Sequence, residues 1–101
     1  MESFEKAPEV DDDLRSIIVY TVDRWGAAQA RKYMAGLEAK MNAIATGQAL
    51  TKRLDHVIDG LRVGRYERHY IFGVDRPSEP MLILAVFHER MSVIERLKER
   101  L

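Results

Sequence analysis

From Val10 onward the positions Val10, Leu14, Ile17, Ile18, Thr21 and Trp25 recur three or four residues apart, the spacing of one helical face. Pro8 suits a first helical turn, and Glu9, Asp11 and Asp12 complement the positive end of the helix dipole, so the pattern predicts a helix from Pro8 to about Arg24. Gly26 stops it, because glycine takes a left-handed cap conformation without a Cβ penalty. A second stripe then follows in Ala30, Tyr33, Met34, Leu37, Met41, Ile44 and Ala45, ending at Gly47. A link this short makes the two helices fold back as an antiparallel hairpin. At its turn Trp25 is expected to plug the hairpin, with Met34 and Met41 in the core.

Residues Gln48 to Asp59 show no period and read as a loop holding a helical turn. After Gly60 the periodicity changes to short β-type segments, LRVGRY, RHYIFGV and MLILAVF, the last two separated by DRPSEP. Pro77 and Pro80 break the chain there, and MLILAVF is apolar enough for a central strand covered by helices. Val93, Ile94, Leu97 and Leu101 make a short amphipathic helix of SVIERLKERL, and Phe4 anchors a short first strand over Ser3 to Ala7. The expected order is β-α-α-β-β-β-α: an α+β fold in which a helical hairpin packs on a small antiparallel sheet.

The length of 101 residues fits one domain covering the whole chain, with no room for separate catalytic and binding domains. Sixteen basic and sixteen acidic residues balance, so the pull toward phosphate backbones is weak and direct sequence-specific nucleic-acid binding is not expected. Cysteine is absent, which excludes disulfides, thiolate metal sites and a cysteine nucleophile. The beginning, MESFEKAPEVDDD, is acidic where a signal peptide would be basic, and no apolar run reaches the ~20 residues of a membrane span. A soluble cytoplasmic protein without cofactor is the expectation.

Candidate chemistry is sparse. His88 lies between an apolar strand and Glu89-Arg90, where a general base with Arg90 or Arg62 holding a phosphate is one reading. The other, preferred here, is a histidine that ends a strand through hydrogen bonds. His69 reads as a packed, hydrogen-bonded residue and His56 as a solvated one, and three separated histidines lack metal-ligand spacing. The densest basic and aromatic cluster is Arg62, Arg65 and Arg68 with Tyr66 and Tyr70, joined by Arg90 as candidate partner-binding residues. Its plainer reading is a sheet edge blunted with charge.

Two stretches, DLRSIIVYTVDRWGAAQARKY and ILAVFHERMSVIERL, resemble the most recognisable segments of ParE-type toxins in the RelE/ParE superfamily. The first matches that group's Asp-Leu, isoleucine-rich helix, Tyr-Thr step and Trp-Gly followed by Gln-Ala; the second matches its apolar strand ending in a histidine, polar residues and Met. Gly60-Leu61-Arg62 and His69-Tyr70-Ile71-Phe72 stand where such chains carry a Leu-Arg step and a His-led strand. The resemblance implies a toxin kept silent by a ParD-like antitoxin and poisoning DNA gyrase by binding, with no catalytic residues. The runner-up is a RelE-like ribosome-dependent endonuclease. The chain departs from the pattern at Glu67-Arg68, where many relatives have Gly-Ser, and at Ala85, often basic in relatives. Those departures motivate a third reading, a non-toxic partner of a DNA-binding antitoxin.

Overall fold

The computed structural model describes residues 3–101. Helix α1 spans Pro8–Trp25 and α2 spans Ala27–Ala45, with Gly26 alone between them. Gly26 adopts φ 89°, a conformation side-chain-bearing residues avoid. Its N–H bonds the Val22 carbonyl at 2.9 Å and its carbonyl accepts from Ala30 N–H at 3.1 Å, so one residue closes the first helix and opens the second.

Five strands follow the order β1-β5-β4-β3-β2, with β1 at Phe4–Lys6, β2 at Lys52–Arg53, β3 at Leu61–Tyr66, β4 at His69–Arg76 and β5 at Glu79–His88. Strands β3, β4 and β5 form an antiparallel meander, as the apolar blocks predict. The sheet as a whole is mixed, which corrects the wholly antiparallel expectation. Strand β1 runs parallel to β5, Phe4 opposite Met81, because the chain leaves β1 straight into the helical hairpin and that hairpin is the crossover a parallel pair requires. The expected loop at 48–59 also contributes β2 against β3, and Leu54 within it is buried.

Both faces of the sheet are covered. One packs Ile71, Met81, Ile83 and Val86 against Val10, Ile17, Leu37, Met41 and Ile44 of the hairpin. The other packs Leu61, Phe72, Ala85 and Phe87 against Leu54 and Leu97, the latter from α3 at Val93–Arg100. Ala85 is fully buried there, so the position offers no surface to a partner. A bulge at Leu84 shifts the β4–β5 register and keeps Val86 on the hairpin side while Ala85 and Phe87 face α3.

The expectation that Trp25 plugs the hairpin is overturned: its side chain is 71% exposed. The helical positions divide into two stripes. Val10, Ile17 and Thr21 face the sheet, whereas Ile18, Val22 and Trp25, one residue and about 100° further round, face outward.

Candidate functional site

The candidate residues lie at two ends of the sheet. Tyr66 pairs with His69 across a two-residue connection, Glu67-Arg68, and His69 pairs with His88 on β5. Glu67 takes φ 50°, the left-handed region that glycine enters without penalty and a side-chain-bearing residue enters at a cost. Arg65 and Arg68 both pair with Glu89 just beyond β5, Arg68 at 2.8 Å, and Arg65 also donates to the Tyr70 hydroxyl at 3.2 Å with its guanidinium over that ring. Partial burial raises the Glu89 carboxyl, but the Arg68 hydrogen bond and the charges of Arg65 and Arg68 outweigh it and hold the group below its ordinary value. Thus Arg65, Arg68, Tyr70 and Glu89 form one surface cluster, as the sequence reading grouped all but the glutamate.

Tyr66 and Arg62 do not join it, because residues of alternate parity on β3 face opposite sides. Tyr66 turns toward the hairpin, edge-on to Tyr33 at 5.1 Å between ring centres and tight against Gly36. Arg62 sits opposite Gly73 and makes a bidentate pair with Asp75 at 2.9 and 3.0 Å. Four residues of strand, about 13 Å, separate it from the Tyr66–His69 pair. His88, Arg90 and Arg62 therefore do not converge on one reacting atom.

The histidines are built into packing. His69 stacks edge-on between Tyr33 and His88, and its Nδ1 accepts the Tyr33 hydroxyl at 2.6 Å. Burial, then the neighbouring His88, pushes the His69 pKa down to about 4, which keeps the ring neutral and able to accept. Burial also pushes Tyr33 up to about 12, so its hydroxyl stays protonated and donates. His88 ends β5 as its sequence position suggests, its Nδ1 accepting the Arg90 backbone N–H at 3.1 Å. His56 is exposed. Among the described residues no group of three histidine or carboxylate side chains could hold a metal ion.

Two features escaped the sequence reading. Asp13 on α1 receives a bidentate pair from Arg100 of α3, at 2.7 and 2.9 Å, and also accepts the Val86 backbone N–H at 3.0 Å. Arg100 reaches on to the Leu84 carbonyl at 3.2 Å and lies over the Phe87 ring. Beside this latch a groove of about 340 Å³ runs between α1 and the end of β5, lined by Ser16, Ile17, Tyr20, His88, Arg90 and Met91 among others. On the far side of α1, Ile18 opens onto a second groove, of about 440 Å³, with Phe4, Leu14, Met34 and Met41 on its walls and Lys6, Asp11, Arg15 and Glu38 at its polar positions.

A family model described as ParE toxin of type II toxin-antitoxin system, parDE, matches residues 4–93. The chain belongs to the ParE toxin family. A relative within it, the Toxin ParE of Escherichia coli, is 42% identical over 101 residues, spanning all of this chain and 98% of the relative. A solved structure titled chromosomal ParDE TA system from P. aeruginosa superposes with a TM-score of 0.71 over 87% of this chain and 96% of that one. At 16% identity that likeness establishes the α+β fold and nothing finer. Membership of the ParE family explains why the pattern of motifs runs through α1, α2, the β4 strand and the end of β5. Among the described residues no helix is long and apolar enough to cross a membrane.

Proposed function

We propose that this ParE-family chain is a cytoplasmic toxin that acts by binding, that a ParD-like antitoxin neutralises it, and that its target is DNA gyrase. The observation that carries the partner is the outward stripe Ile18, Val22 and Trp25, flanked by Val19, which leaves large apolar side chains in water on one side of α1. Exposed apolar side chains at helical spacing, which at Ile18 reach a groove of mixed apolar and charged walls, suit the apolar face of an amphipathic helix. The name of the P. aeruginosa ParDE structure describes a system of that two-component kind.

Binding rather than bond chemistry is favoured by the separation of Arg62 from His88 and by the engagement of His88 Nδ1 with the backbone. The cluster of Arg65, Arg68 and Tyr70, with Arg90 nearby, supplies side-chain types that carry binding energy at interfaces, and it is the surface we assign to the target or the antitoxin. Co-expression with the adjacent small gene should give a stable complex, and a chain that purifies alone as a well-behaved monomer would defeat the antitoxin reading. Purified toxin should abolish gyrase supercoiling or accumulate cleaved DNA, and preloaded antitoxin should reverse the effect. Gyrase indifferent to excess toxin would remove the target while leaving the antitoxin in place. Unimpaired growth on induction without antitoxin would instead favour the non-toxic partner, and codon-position cleavage of messenger RNA the endonuclease.

A further inference from the structure

A net charge of zero conceals an uneven distribution. Helix α1 advances from Asp13, bonded at Val86, to Tyr20 beside His88, and α2 returns to bring Tyr33 onto His69, the first residue of β4. The turn of the hairpin therefore overhangs the end of the sheet where β3 passes into β4 and β5 stops. Arg24, Arg31, Lys32 and Arg90 are exposed at this end and form no ion pair among the described residues, while Arg65 and Arg68 share the single carboxylate of Glu89. Asp23 and Glu67 are the acids nearest to them in sequence. Toward the opposite end Lys6, Arg15, Arg53, Arg62 and Arg76 are each matched by a carboxylate. The remaining free cations, Lys40, Lys52, Arg96 and Lys98, are scattered over α2, β2 and α3.

The groove beside α1 adds hydrogen-bond donors to this charge. Tyr33 O–H donates to His69 Nδ1 at 2.6 Å and the Arg90 N–H to His88 Nδ1 at 3.1 Å, so both rings carry their proton on Nε2. His69 and His88 line the groove with Arg90 and the hydroxyls of Ser16 and Tyr20. Its one carboxylate, Asp13, is spent on Arg100 and Val86 N–H. Such a lining favours an acceptor that brings negative charge.

A single small anion would be met by cations converging on one point. Here they run from Arg90 in the groove, through Arg24 over the Tyr20 ring at 5.3 Å, to Arg31 and Lys32 across the turn, which suits a chain of regularly repeated negative charges. We propose that this end of the toxin touches the DNA backbone, one phosphate meeting His88 and Arg90 at the groove and its neighbours along the strand meeting Arg24 and the cations of the hairpin turn. The contact is independent of base sequence, because it reaches phosphates and no base edges. It rests on the gyrase reading above, whose enzyme holds DNA, and adds a surface that the toxin itself supplies.

The test uses the full-length toxin without gyrase and a short labelled DNA duplex, followed by fluorescence anisotropy. Binding should appear at low salt, and the association constant should fall with salt at a log–log slope of about −3, the counterion release of roughly three or four phosphates. Arg24→Glu and Arg90→Glu should each weaken binding at least about fivefold and flatten the slope by about one. Lys52→Glu, the same change of charge at an exposed, unpaired site on β2, should weaken it less than about twofold. No binding at low salt, or an equal loss in all three variants, would overturn the contact. So would tighter binding of single-stranded RNA of the same length, or variants that hold the duplex like the parent while losing the antitoxin, which would give these cations to the antitoxin. A toxin that traps gyrase without binding DNA removes the contact and keeps the gyrase reading; one that binds DNA and leaves gyrase untouched does the reverse.

Discussion

Replacing Asp13 with alanine should cost this protein more than any surface ion pair could. Asp13 makes two bonds to Arg100 and one to Val86 N–H, and the side chains are only 10% and 22% exposed. Exposed pairs contribute roughly 0–1 kcal/mol. Breaking a fully buried pair by removing one partner costs roughly 3–5 kcal/mol, because an uncompensated charge stays behind. In the Asp13→Ala protein Arg100 would retain the Leu84 carbonyl and some water, which places the loss between those limits, at about 2–3 kcal/mol. For a chain of 101 residues that is a fall in Tm of roughly 10–20 °C. Denaturant titrations of the parent, Asp13→Ala, Arg100→Ala and the double variant supply the decisive number. The double variant strands no charge, so the singles should overshoot it, with a coupling of about 1–2 kcal/mol. Simple additivity, or a loss below about 0.5 kcal/mol for Asp13→Ala, would refute the argument that this contact holds α1, β5 and α3 together.

The remaining expectations are briefer. Gly64→Ala would place a Cβ 2.4 Å from Cδ1 of the fully buried Ile44, so overpacking should destabilise by about 1–3 kcal/mol in urea titration. His69 has a folded pKa near 4, below its unfolded value of about 6.5, so the unfolded state binds the extra proton between those values and stability is lost as pH falls through that window. Denaturation at pH 7 and pH 5 should differ by about 1–2 kcal/mol from this group, and a His69→Asn protein with the same slope would sink the assignment. Trp25→Ala, on the exposed stripe, should change Tm little yet weaken antitoxin binding by about 2 kcal/mol in calorimetry, and equal affinity would remove the stripe from the interface.

Periodicity was enough for the elements whose faces differ strongly, such as α2, where Leu37, Met41 and Ile44 are all buried. It misplaced Trp25 because Ile17 and Ile18 are both apolar, which made two stripes on α1 look like one. The two-residue β2 was hidden because Lys52 and Arg53 are polar and exposed, so pairing with β3 left no mark on composition. The cluster of arginines and tyrosines was visible as a stretch of chain, but strand alternation divides it: Arg65 and Tyr70 meet, and Arg62 and Tyr66 face the other way. Asp13 and Arg100 were illegible as a pair, standing 87 positions apart with nothing local to join them.

That same distance along the chain bears on the order of folding. The hairpin α1–α2 and the meander β3–β4–β5 are each made of near neighbours in sequence, and such contacts form early. The seam between them, β1 on β5 and Asp13 on Arg100, requires closing a loop over most of the chain and is expected to come last. Interactions absent from the transition state govern how fast a native protein opens rather than how fast it forms. Weakening the latch should therefore shorten the lifetime of the folded toxin while leaving its refolding rate nearly unchanged. A partner bound along α1, the helix that carries Asp13, would brace one side of that seam, making the protein more durable while neutralised and shorter-lived once released.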